Sequence, residues 1–367
     1  MNGYELRGTE DVITPALIYY VDRIRENIKK ALQIAGSGER LWPHVKSHKS
    51  EDMVRLQMEY GITKFKAATV AEAEMAARAG AEAVILAYPL VGPNIRRYAA
   101  LAMAYPETNF YAIGDDLGAL ACLAGIVRGL GGQMEVLLDI NMGMDRTGVR
   151  IEQAESLYRK AALLEGIRMA GLHCYDGHHN SRDLETRMDE VGRTDRQIEE
   201  IRKRLSADGL DCGLVVAGGT PSFPCHAALT DWYLSPGTAV LTDAGYYKNL
   251  PDLGFVPAAA LLTRVVSHPA PGLFTLDLGY KGIAADPAAQ RGYIIGLERA
   301  QPVLHSEEHW VFRSGEGEAV PEIGAELYVI PTHICPTSAL YPEILTAEGG
   351  KITGRFPVTA RNRKINY

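Results

Sequence analysis

From Leu41 to Leu234 the chain alternates short, near-continuous apolar runs with longer segments whose apolar residues recur every three or four positions. The first pattern is what a strand covered on both faces requires, and the second is the stripe of an amphipathic helix. The apolar runs predict strands at Leu41–Lys46, Lys64–Thr69, Ala83–Tyr88, Asn109–Ile113, Glu135–Asn141, Met169–Tyr175, Leu214–Gly218 and Trp232–Leu234. Ala-, Glu- and Arg-rich segments such as Val70–Ala79 and Leu184–Ala207 predict the helices between them. Strand–helix units repeated over roughly 200 residues match the size of a (β/α)8 barrel of the TIM type. The last two strands carry the weakest pattern, and a doubly wound parallel sheet fits the same alternation.

After about residue 245 the helical spacing fades. Short alternating runs punctuated by Gly and Pro predict strands at Ala258–Ser267, Leu273–Leu278, His309–Arg313, Glu326–Ile330 and Lys351–Phe356. Ile13–Asp22 is a further strand candidate, ended by an aspartate placed to cap the next helix. The expected class is α/β: a (β/α)8 barrel over residues 20–245, and a β-rich domain from residues 1–19 and 246–367.

Composition narrows the classes of function. With 367 residues the chain exceeds one compact core, and 47% hydrophobic with 23% charged residues is ordinary for a globular protein. A net charge of -7 argues against a nucleic-acid surface, which needs a basic face. No run approaches the roughly 18 apolar residues of a membrane span. The opening Met1–Gly8 lacks the apolar centre of a signal peptide. Cys122, Cys174, Cys212, Cys225 and Cys335 are odd in number and scattered, as expected of reduced thiols in the cytoplasm.

Candidate chemistry sits where a barrel would gather it, just past the strand ends. Leu41-Trp42-Pro43-His44-Val45-Lys46-Ser47-His48-Lys49 runs an apolar strand into two lysines and two histidines. Desolvation at such a strand end favours the neutral amine, the nucleophile that forms Schiff bases with carbonyl cofactors. A basic surface turn would use the same letters. The glycine-punctuated Asn141–Val149 presents one arginine, Arg146, either solvated or a fixed donor to a phenolate oxygen. In His173–Asn180, Tyr175 either caps the core or lies against an aromatic ring. Gly219-Thr220 and Gly237-Thr238 follow the last two strands, where barrels often bind phosphate. Finally, His333 and Cys335 in Val329–Thr337 share one side of an extended chain and together suit zinc. A buried cysteine beside a hydrogen-bonded histidine accounts for an isolated HxC equally well.

PHVKSHK, NMGMDRTGV, GLHCYDGH, GGTP and PTHICPT occur here in one chain. Together they resemble the D-threonine aldolase / D-serine dehydratase family, pyridoxal-phosphate (PLP) enzymes of the alanine racemase fold type. The resemblance runs from Thr14-Pro15 to the His333/Cys335 pair. It implies that Lys46 is the Schiff-base lysine, with Lys49 and Lys281 as lesser competitors. It implies contact of Arg146 with the cofactor's phenolic oxygen, of Tyr175 with its ring, and of Gly219, Thr220, Gly237 and Thr238 with its phosphate. His333 and Cys335 would hold a divalent metal (zinc, manganese or magnesium) beside the substrate hydroxyl, and His178 and His179 offer a base. A homodimer is also implied.

The implied substrate is a small D-β-hydroxy-amino acid. PLP acts as an electron sink and a metal acidifies the β-hydroxyl. Loss of the hydroxyl proton breaks Cα–Cβ, whereas loss of the Cα proton to Lys46 leads to dehydration. In the resemblance, aldolase members carry aspartate at the position of Cys335 and dehydratase members cysteine. Thiolate therefore tilts toward dehydration, but GLHCYDGH looks closer to the aldolase branch. The reading favoured is D-threonine aldolase, giving glycine and an aldehyde. The alternative is a dehydratase of D-serine or D-threo-3-hydroxyaspartate type. A racemase would lack the HxC pair and need a second base, for which Tyr280 is the candidate. A non-enzymatic PLP-binding protein would lack the β-rich extension, and a PLP-free sugar-phosphate barrel would lack the cofactor.

Overall fold

The computed structural model describes residues 3–365. The chain divides into two compact units, one of the chain up to Lys30, Ser47–Ser50 and Thr238–Arg361, the other of Ala31–Lys46, Glu51–Gly237 and the segment from Asn362 on.

The second unit is the barrel. Its parallel sheet runs Lys64–Ala67, Ala83–Leu86, Asn109–Gly114, Met134–Asn141, Ile167–Cys174, Leu214–Ala217 and Tyr233–Leu234 in chain order. Helices lie between these strands, and polar side chains fix where several of them start. Thr69 caps Val70–Arg78, Asp116 caps Leu117–Gly129 and Asp183 caps Leu184–Ala207, each accepting from a backbone N–H of the first turn.

The predicted strand Leu41–Lys46 is not regular. Only Leu41 and His44 bridge, to Leu234 at one sheet edge and to Lys66 at the other. Pro43 is the physical reason, since it has no N–H to give to a ladder. Its carbonyl still accepts from Lys66 N (2.9 Å), while Trp42 N and His44 N donate to Leu234 O (2.8 Å) and Pro236 O (2.9 Å). This irregular stave joins the first sheet strand to the last, so the seven strands and the stave close a (β/α)8 barrel. The chain then turns through the short 3-10 segment Val45–Ser47, so Lys46 stands on a turn and not at a strand end. Inside, Trp42 is 2% exposed and packs edge-on against Tyr111 and Tyr233. Gly171 lets neighbouring strands approach: a Cβ there would lie 1.7 Å from the Leu214 carbonyl oxygen.

The first unit is an antiparallel-rich sheet. Its order is Gln301–His305, Trp310–Arg313, Leu273–Leu276, Ala259–Ser267, Ala16–Tyr20, Glu343–Glu348 and Lys351–Pro357. Glu326–Pro331 pairs with Ala259–Ser267 and with Gly292–Ile294. Ile18, Ala260, Leu262 and Ile330 fill its core. Gly292–Ile294, Gln301–His305 and Glu343–Glu348 were not among the predicted strands. They are short or polar, and backbone pairing rather than apolar alternation makes them strands.

Trp42→Ala should lower unfolding free energy by about 3–5 kcal/mol, because the stave loses its only large core side chain. A urea melt followed by far-UV dichroism checks this, and a loss within the noise of that melt contradicts the role given to the stave.

Candidate active site

The barrel unit gathers three cations on one phenol ring. The Nζ atoms of Lys46 and Lys66 lie 5.9 Å and 5.2 Å from the Tyr175 ring centroid, and the Arg146 guanidinium carbon lies 4.6 Å from it. Among the described residues none of the three cationic groups has a carboxylate in hydrogen-bonding reach. Arg146 is presented by a loop locked on Asn141. The Asn141 Oδ1 accepts from Gly143 N and Asp145 N, and Gly148 N donates to Asp115. Gly148 has φ of 102°, and a Cβ there would lie 2.4 Å from Asn141 N, so only glycine closes this loop.

Lys66 escaped the sequence reading, although a lysine flanked by Phe65 and Ala67 in a fully buried strand is the signal to seek. It is 1% exposed; Nζ lies 2.6 Å from Ser235 Oγ and 3.5 Å from His173 Nε2. Burial, then the charges of Lys46 and Arg146, push its pKa down to about 7. His173 holds Asp139 through Nδ1 at 2.7 Å, which leaves Nε2 to accept. Burial keeps His173 below its ordinary value.

Behind Tyr175, the Gly-Thr turn is anchored by a buried charge network that sequence reasoning also missed. Gly219 N donates to Ser222 Oγ (3.0 Å), which donates to Asp176 Oδ1 (2.5 Å). His226 lies between Asp176 (2.9 Å) and Asp195 (3.0 Å). Burial alone would strip its charge, yet the two carboxylates, Asp176 foremost, raise its pKa to about 10. Gly237 N donates to Thr220 Oγ1 (3.2 Å), which brings Gly219, Thr220 and Gly237 together. His178 and His179 stack with centroids 4.1 Å apart. Nδ1 of His178 and Nε2 of His179 are buried without a hydrogen-bond partner. Burial, and secondly His179, keep His178 below its ordinary pKa.

The β-rich unit holds the remaining candidates. His333 caps the helix Ile334–Leu340, so Cys335 lies in a helical first turn and not on the extended chain expected. The two groups still meet, since a hydrogen bond to Cys335 is the main cause, ahead of Asp286, of a His333 pKa raised to about 9. His333 Nδ1 lies 2.6 Å from Asp286, so the imidazole is held between that carboxylate and the Cys335 thiol. Ser47 Oγ and Thr238 Oγ1 lie 3.1 Å and 3.3 Å from Cys335 Sγ. Thr238 thus stands with the thiol, and Ser47 directly follows Lys46 in the chain. Among the described residues no three His, Cys, Asp or Glu side chains form a cluster able to hold a metal. Lys281 is engaged by Glu307 and Glu308 at the surface, and its pKa is raised by Glu307, which removes it as a nucleophile. Tyr280 is 39% exposed and packs against His305.

These residues fit both groups that the sequence implied. The amines of Lys46 and Lys66 and the Arg146 guanidinium, none of them with a carboxylate partner among the described residues, suit an anionic aromatic aldehyde. An imidazole with one nitrogen fixed by a carboxylate, beside a thiol, is a donor pair for a divalent metal of the zinc type.

The family described as alanine racemase, N-terminal domain, matches residues 20–244, and a serine dehydratase domain matches residues 258–347. D-threonine aldolase of an Arthrobacter species is 27% identical over 360 residues, 95% of this chain and 93% of that protein. 3-Hydroxy-D-aspartate aldolase of Paracoccus denitrificans is 28% identical, over 96% of this chain and 93% of its own. The crystal structure of D-threonine aldolase from Filomicrobium marinum superposes with a TM-score of 0.91 at 28% identity, covering 100% of both chains. No helix among the described residues is long and apolar enough to cross a membrane.

His226→Gln should cost about 3–5 kcal/mol at neutral pH, since it leaves two buried carboxylates without their cation. Its folded pKa is raised from 6.5 to about 10, so the stability it adds is full below pH 6.5 and is lost as pH rises through 10. Melting temperatures of wild type and variant should therefore converge toward pH 10; a constant gap across that range contradicts the assignment.

Proposed function

We infer that this chain, which belongs to the alanine racemase N-terminal-domain family, is a PLP-dependent lyase that cleaves small D-β-hydroxy-amino acids as a D-threonine-type aldolase. The observation that carries the reading is the unpaired Lys46 amine over Tyr175, flanked by the unpaired Arg146 guanidinium. Bound there, PLP supplies an electron sink for the substrate's Cα substituents. Lys46 would hold the cofactor through its carbonyl. Arg146 would meet the phenolic oxygen, and Tyr175 would support the ring. Thr220, with the glycines of its turn, would hold the phosphate, and the ion triad behind Gly219 keeps that turn in place.

His333 Nε2 and the Cys335 thiolate are the metal ligands in this reading, oriented by Asp286 and by the Ser47 and Thr238 hydroxyls. The metal would supply Lewis acidity to the β-hydroxyl. His178 and His179 supply the base: a neutral imidazole with an unpartnered nitrogen accepts the hydroxyl proton. Cys335 favours a second reading, dehydration, because thiolate selects zinc and this position separates the two branches in the resemblance. A homodimer, which only the resemblance implies, and a cytoplasmic setting, supported by five cysteines that are all free thiols, complete the proposal.

Incubation of the PLP-loaded protein with D-threonine should release glycine and acetaldehyde. Pyruvate and ammonia from D-serine, with no glycine from D-threonine, would select the dehydratase instead. Lys46→Ala should lower turnover on the order of 10³-fold or more. His333→Ala should abolish turnover and metal content while PLP binding persists; loss of both from a folded variant contradicts the separate ligand sets. Cys335→Asp should move metal preference from zinc toward manganese or magnesium by metal analysis, and an unchanged preference removes the ligand role.

A further inference from the structure

The mechanism above uses one lysine, yet the barrel holds two amines over the same ring. Lys66 is the deeper one, on the strand Lys64–Ala67, with 1% exposure. Buried lysines that serve structure are usually paired with a carboxylate, because an isolated ammonium is costly to desolvate. Lys66 has no such partner. Its two hydrogen-bonding neighbours, Ser235 Oγ and His173 Nε2, are neutral acceptors, and Asp139 is taken up by the other nitrogen of His173. Asp176, the other nearby carboxylate, is bound to His226 and Ser222. Lys46 and Arg146 add repulsion from the same side. Burial and the two neighbouring cations outweigh the more distant pull of Asp139 and Asp176 and favour the neutral amine, the form that attacks carbonyl carbon.

We propose that Lys66 is a second carbonyl-capturing amine of this site, able to form an imine with the aldehyde of PLP when the Lys46 amine is absent. The inference rests on the PLP reading above and extends it to a residue that the reading does not employ. The chemistry balances without an oxidant or reductant. Nζ of Lys66 adds to the aldehyde carbon, the C–N bond forms, and the carbonyl oxygen leaves as water with the two protons that the amine carried. His173 Nε2, 3.5 Å from Nζ, is placed to accept one of them in transit. Ser235 Oγ, itself tied to the carbonyls of Ala217 and Gly218, fixes where the amine starts. Both amines lie within 6 Å of one ring centroid, so an aldehyde held on that ring faces either.

The test is labelling, not turnover. Wild type, Lys46→Ala, Lys66→Met and the double variant are each incubated with PLP, reduced with borohydride, digested and mapped by mass spectrometry. Dichroism confirms that each is folded, and Lys46→Met replaces Lys46→Ala if the latter is not. Wild type and Lys66→Met should carry the pyridoxyl group on Lys46, Lys46→Ala on Lys66, and the double variant on neither. Label on Lys46 in wild type but on no residue, or on Lys49, in Lys46→Ala overturns the inference and leaves the proposed function standing. An unlabelled wild type overturns the PLP reading itself, and this inference with it.

Discussion

Three basic side chains, Lys46, Lys66 and Arg146, converge on one phenol ring of the barrel. Like charges a few ångströms apart in a medium of reduced dielectric repel by kilocalories, and the fold must hold them there against that force. It does so with elements that cannot give way. Lys66 is rooted in the first sheet strand, Arg146 in a loop knotted around Asn141, and Lys46 in a 3-10 turn fixed by the bridges of the stave. The repulsion finds two outlets. One is loss of a proton from Lys66, and the other is the arrival of an anion. The concentration of unpaired cations is thus the feature from which the rest of the site follows.

The surroundings are built so that neither outlet is closed by the protein itself. Every carboxylate close enough to neutralise the cluster has been given another partner. Asp139 is held by His173, and Asp176 by His226 and Ser222. The result is a buried network behind the ring whose carboxylates act on Lys66 through space without hydrogen-bonding to it. In the β-rich unit His333 is likewise held, its Nδ1 fixed by Asp286 and its ring hydrogen-bonded to Cys335.

Much of this was legible in the sequence. Strand positions in the barrel follow from continuous apolar runs, and the structure brings Lys46, Arg146 and Tyr175, singled out from three separate motifs, to one place. Three things were not legible, each for a physical reason. Pro43 lies inside an apolar run, so the run reads as a strand although the ladder has no donor there. Cys335 reads as extended because it follows a strand, yet Ile334 N donates to Asp243 at the start of a helical turn. Lys66, His226 and Asp195 are ordinary letters in chain order; their meaning arises from contacts across up to 169 positions of sequence separation.

The stave formed by Leu41–His44 has a consequence for motion. It joins the sheet edges through three backbone hydrogen bonds and carries Lys46 two residues beyond its last bridge. A seam that thin is the place where a closed barrel breathes first, so amide exchange at Trp42 and His44 should outpace that of the central strands. Each such opening also displaces Lys46. The integrity of the barrel and the position of that side chain are in this way one and the same local equilibrium.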